Sequence, residues 1–171
     1  MRQLLLKRLK NQKGLTLIEL LAVIVILGII AAIAVPSIGG IIENSKKDAH
    51  VANAQQMIHS ARLAVVGENL LAGGDTIQYI PLAYLEDNGY LETVTDPDGI
   101  EYINAEDAAE APILVVGIDP PSDGSYVVVA KNGQIVNYSV KLVNSTRGVQ
   151  NDDDYNTPVA EENLQRSAVN P

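Results

Sequence analysis

Cysteine, tryptophan and phenylalanine are all missing from this 171-residue chain. The lack of cysteine excludes disulfides, thiol nucleophiles and thiolate metal sites, and it leaves the redox compartment open. Any core must be built from aliphatic side chains and seven tyrosines. Histidine is scarce, with only His50 and His59. They stand nine positions apart on a segment that reads as helix, about 180° apart at roughly 3.6 residues per turn. They cannot share a metal within one chain, and both are expected at the surface. G-x-S-x-G, P-loop, G-x-G-x-x-G and H-E-x-x-H patterns are also missing. With no His–acid constellation in the sequence, catalysis is not expected and no cofactor is implied.

Charge is distributed unevenly. Arg2, Lys7, Arg8, Lys10 and Lys13 give the first fourteen residues +5 with no acid. The other seven basic residues face all 21 acidic ones, for a net −14. Such an acidic remainder has no general attraction for nucleic acid. Directly after the basic leader comes Leu15 to Ile42, LTLIELLAVIVILGIIAAIAVPSIGGII, in which Glu19 is the lone charge. From Leu20 to Ile42 a helix would span about 33 Å at roughly 1.5 Å per residue, which matches a hydrocarbon core of about 30 Å. Positive charge before such a helix marks the cytoplasmic side, with the acidic domain outside.

Two simple accounts of this segment fall short. A secretory signal peptide fits the basic start, and Ala32-Ile33-Ala34 offers a cleavage site. The apolar run, however, exceeds the usual h-region of about 7–15 residues, and Glu19 would lie inside it. A plain single-pass anchor explains length and orientation but not Glu19. An ionisable residue within a membrane segment is costly and marks function by default.

Lys13-Gly14-Leu15-Thr16-Leu17-Ile18-Glu19-Leu20 resembles the leader site of type IV pilin and pseudopilin precursors, commonly Gly-Phe-Thr-Leu-Ile-Glu. Leu15 stands where phenylalanine is usual, and both are apolar. Pro36 is similar to the helix-kinking proline often found late in that family's membrane segment. The resemblance covers residues 7–45 in detail and the remainder only in architecture. It implies cleavage after Gly14 by a prepilin peptidase and N-methylation of Leu15. It implies that Glu19, fifth in the mature chain, pairs with the N-terminal amine of a neighbouring copy during assembly. A carboxylate and an ammonium are each costly alone in low dielectric and attract strongly together. The implied partners are the peptidase, other copies and minor pilins, an inner-membrane assembly platform with its ATPase, and the membrane before assembly. The implied product is a structural filament subunit of a type IV pilus. A competence or type II secretion pseudopilin is the alternative. A membrane-tethered extracellular binding module that never polymerises is the rival from another class.

The resemblance and the patterning divide the chain into a cleaved leader (1–14), a membrane or assembly half-helix (15–42), an amphipathic half-helix (43–66) and a globular domain (67–171). Pro36 and Gly39-Gly40 weaken the helix, so residues 36–40 read as a kink or a segment able to melt. Beyond them Val51, Ala54, Ile58, Ala61 and Val65 recur at spacings of 3, 4, 3 and 4, one apolar helical face. Gly67 is the expected C-cap.

Residues 67–111 read as loop-rich. A short helix is predicted after Pro81, ending at Asn88-Gly89. A turn is predicted at Asp96-Pro97-Asp98-Gly99, then a short strand over Ile100–Ile103. Ile113–Ile118 is an apolar run. Two β-rich runs, 126–131 and 134–140, flank Asn132-Gly133, a strong hairpin signal. The expected fold is α+β, with the long helix packed on at least three antiparallel strands. The polar tail from Asn144 carries no expected core element. Asp152, Asp154 and Asn156 have the spacing that opens a calcium loop, but Thr157 and Asn163 stand where glycine and the closing glutamate belong. A complete EF-hand is therefore out; the family resemblance leaves a looser calcium site open, and a solvated acidic loop is the simpler expectation. Asn137-Tyr-Ser and Asn144-Ser-Thr match the N-glycosylation pattern weakly.

Overall fold

The computed structural model describes residues 16–72, 76–105, 115–116, 121, 124–151 and 157–170. The chain divides into two compact units at Ile42/Glu43. One helix, α1 (Leu17–Gly67), contributes to both.

In the first unit every described residue except Ala34 is exposed, including sixteen leucines, isoleucines and valines from Leu17 to Ile42, such as Leu20, Ile24, Leu27 and Val35. A helix apolar on all sides has no place in water and needs lipid or protein around it. The helix is long and apolar enough to cross a membrane by length and composition. It runs through Pro36 and Gly39-Gly40 without interruption.

In the second unit α1 presents one buried face, Ala54, Met57, Ile58, Ala61, Ala64 and Val65. The 3.6-residue spacing predicts this stripe, and the small alanines allow close approach to a sheet. Against it lie Ile80, Val127, Val129, Val140 and Leu142, all fully buried. Each such side chain contributes roughly 1.5–3 kcal/mol by leaving water. The helix ends in a Schellman motif rather than on Gly67. Leu70 N donates to the Val65 carbonyl at 3.1 Å, and Asn69 takes the left-handed position with φ 53°.

The sheet is antiparallel. β1 (Thr76–Pro81) lies between β2 (Val115–Val116) and β3 (Tyr126–Asn132), and β3 pairs β4 (Ile135–Val143). On its other side β4 pairs β5 (Gly148–Val149) and β6 (Val159–Ala160), and β5 pairs β7 (Val169–Asn170). Alternation places Val127 and Val129 on the helix side, and Tyr126 and Val128 on the other. The short helix α2 (Leu82–Asp87) follows β1 directly and ends at Asn88-Gly89 as predicted. Gly99 N bonds the Asp96 carbonyl, which closes the expected turn.

Four expectations need correction. β1 falls in the stretch read as loop, because Thr-Ile-Gln-Tyr-Ile-Pro is short and lacks clean alternation. The hairpin pairs Asn132 with Ile135, so its turn residues are Gly133 and Gln134, and Gly133 supplies the φ of 61°. Residues 100–103 form no strand; the backbone there makes a single bridge, Asn104 with Ser125. The C-terminal tail does supply core: Val149, Val159 and Val169 are buried. Strands of two residues are too short for periodicity to reveal. Of the run 113–118, only Val115 and Val116 lie among the described residues.

Candidate functional site

Glu19 stands in the first turn of α1, three residues after Thr16. Its carboxylate accepts from Thr16 N at 2.8 Å and from Thr16 Oγ1 at 2.7 Å. Thr16 Oγ1 in turn lies 3.3 Å from Glu19 N and accepts from it. This is a capping box, in which the two side chains satisfy amide groups that the helix start leaves without partners. The Thr-x-x-Glu signal was legible in the sequence, though the family motif drew attention to Glu19 for another reason. The carboxylate is therefore oriented at the extreme start of the described helix. Gly14 and Leu15, the expected processing residues, lie outside the described residues, as do Asp152, Asp154 and Asn156 of the calcium candidate. Pro36 sits within continuous helix.

A second polar constellation forms inside the globular unit, and sequence reasoning missed it. The Asp96–Gly99 turn points two carboxylates at the first turns of α1 beyond Ile42. The Asp98 side chain is only 7% exposed. It accepts from Lys46 Nζ at 3.1 Å, His50 Nε2 at 3.0 Å, Arg147 Nε at 2.7 Å and Arg147 Nη2 at 2.9 Å. Arg147 also pairs with Glu43. Asp96 accepts from Asn144 Nδ2 at 2.6 Å and from Asp98 N at 2.8 Å. Asn144 Oδ1 accepts from the Thr146 and Arg147 amides, both at 2.8 Å.

His50 is fully buried, which corrects the surface placement; His59 is exposed as expected. His50 Nδ1 lies 2.9 Å from Tyr102 Oη, and Asn53 Nδ2 donates to that same oxygen at 3.0 Å. One donor order satisfies every group: Asn53 to Tyr102, Tyr102 to His50 Nδ1, and His50 Nε2–H to Asp98. Burial alone would raise the Asp98 carboxyl. Hydrogen bonds from His50, Lys46 and Arg147 outweigh it and hold the group well below the usual carboxylate range. The Arg147 hydrogen bond likewise lowers Glu43, and its partner Arg147 is raised. Burial pushes the Tyr102 hydroxyl well above its ordinary value.

His50, Asp96 and Asp98 bring three ligand atoms within 4.8 Å of one another. Their chemistry does not fit a metal ion. Lys46 and Arg147 already supply the cationic charge on Asp98, and Asn144 and a backbone amide occupy Asp96. A divalent cation would have to displace both bases. The cluster is an ion-pair hub that ties residues 43–53 of α1 to the turns at 96–99 and 144–147. The Asn144 glycosylation candidate is consumed by this hub. Asn137 lies exposed within paired strand β4.

Residues 9–35 match the family described as the prokaryotic N-terminal methylation motif. This is the class III prepilin leader of type IV pilins and pseudopilins. No curated protein and no solved structure matches the chain.

Proposed function

We propose, from the prepilin leader it carries, that this protein is the structural subunit of a type IV pilus or pilus-like filament. The leader is cut after Gly14, Leu15 is N-methylated, and the mature chain polymerises through its N-terminal helix. The observation that carries this reading is the methylation motif at residues 9–35 running into a single apolar helix with one acid. That helix fits a single-pass anchor, with the acidic domain outside before assembly. The motif's family is structural rather than enzymatic.

Cleavage would create an ammonium at Leu15, four residues before Glu19. In a fibre core of low dielectric, Glu19 pairs with that ammonium on a neighbouring copy and sets the stacking register. Pro36 and Gly39-Gly40 form the weakest part of the helix and are where it would kink or unwind on packing. A prepilin peptidase, an assembly platform with its ATPase and other pilins are the partners this requires.

The first measurement is the N-terminus of the protein from native membranes, by intact mass and peptide sequencing. A chain starting at methylated Leu15 supports the reading. A start at Val35 makes the product a secreted domain, and retention of Met1 makes it a plain anchor; either overturns it. Glu19→Ala is expected to abolish filaments while cleavage proceeds, and normal filaments from that variant would remove Glu19 from assembly.

A further inference from the structure

Nearly all the basic side chains after the leader are used within the folded domain. Lys46 and Arg147 pair with Asp98, Arg62 with Glu161, and Arg166 with Asp48. Lys131 donates to the Leu71 carbonyl at 2.6 Å, and Lys141 is 4% exposed. Lys47, half-buried on α1, closes no ion pair among the described residues, although its charge acts on Glu43 one turn away. Copies of a chain at −14 repel one another, so close stacking calls for a cation that is still available.

A groove of about 490 Å³ lies between α2 and the 93–104 segment. Leu82, Val94, Ile100 and Tyr102 give it apolar walls, Glu86 and Glu101 line it, and no basic residue does among the described residues. Glu86 uses Oε1 to accept from Val94 N at 3.0 Å, and Glu101 is exposed. An acid-lined cleft with apolar walls suits a lysine, whose methylene stem packs while its ammonium meets carboxylates.

We propose that this groove receives the Lys47 side chain of a second copy of the chain. The proposal rests on the filament reading and names one of its contacts. Donor and acceptor are different patches, so the contact is heterologous and can repeat along a fibre without closing. Ile100 lines both this groove and the cavity beside Lys47. Pairing within one chain is therefore the competitor that a test must separate.

The absence of cysteine makes that test clean. Full-length chains carrying Lys47→Cys alone and Glu101→Cys alone are co-expressed and oxidised in intact cells. A disulfide-linked mixed dimer is expected, in excess over dimers from either variant alone. The double-cysteine chain should give a ladder of higher species. A double variant that closes only within itself, or filaments that contain no mixed dimer, overturns the contact. In parallel, Lys47→Glu should cut filament yield at least tenfold, and adding Glu101→Lys should restore it. Wild-type yield from Lys47→Glu also overturns it. If the unmodified chain forms no filaments, the filament reading fails. A mixed dimer in the membrane would then still support the contact, and its absence would remove both.

Discussion

Asp98 gathers three cationic or potentially cationic side chains from two separate stretches of chain, which makes it the residue on which the domain's polar interior turns. Removing one partner from an enclosed ion pair leaves an uncompensated charge, typically at about 3–5 kcal/mol. Arg147→Ala is expected to fall below that range, at about 1–3 kcal/mol by denaturant unfolding, because Asp98 and Glu43 lose hydrogen bonds while Lys46 and His50 still hold Asp98. A loss under 1 kcal/mol would mean that water replaces the guanidinium freely. The same residue governs acid behaviour. The folded-state pKa of Asp98 is depressed, so its contribution is present above the unfolded carboxylate value of about 3.9 and is lost as pH falls below it. Melting temperature should therefore drop between about pH 4 and pH 2. Asp98→Asn should be less stable at neutral pH and should show a flatter acid limb. An identical acid limb in the variant would move the effect to other carboxylates.

At the scale of elements, the domain is held where short segments cross rather than by long strands. Ser125 N donates to the Ile103 carbonyl at 2.7 Å, and Ile103 N donates to the Val143 carbonyl at 2.8 Å. This lacing needs Gly124. Its φ is 89°, and a β-carbon there would lie 2.3 Å from Ala105 N. Gly124→Ala combines left-handed strain with a backbone collision that no rotamer relieves. The expected cost is about 3 kcal/mol or more, read as a lower denaturant midpoint. A midpoint unchanged from wild type would show that the 103–105 backbone can shift aside. The stitching was not legible beforehand. The alternation over Ile100–Ile103 suggested a strand but named no partners, and the partners lie about 20 and 40 residues further along the chain.

At the scale of the whole molecule, two units with opposite solvent preferences share one helix. The first is apolar on every face, and the second has its own core from Ala54 to Val169. A chain beginning at Glu43 is expected to fold as a water-soluble domain with a cooperative melt and mixed α and β circular dichroism. It retains the hub, since Glu43, Lys46 and His50 all lie beyond the cut. Aggregation or a non-cooperative melt would show that the apolar half of α1 contributes to the domain's own stability.

The sequence by itself determined the basic leader, the apolar helix with its one acid, the amphipathic stripe from Val51 to Val65, α2 and the pairing of the two β-rich runs, though not which two residues turn between them. These are local patterns, written in spacing of 3 to 4 residues, in charge blocks or in turn chemistry. Only the tertiary structure decided that His50 is buried, that the tail supplies three strands, and that α1 closes on Asn69 rather than Gly67. The hub joins residues about 50 and 100 positions apart, and β5, β6 and β7 are two residues each. No local pattern encodes such contacts, because the energy that forms them comes from burial and charge pairing between segments that meet only once the chain has folded.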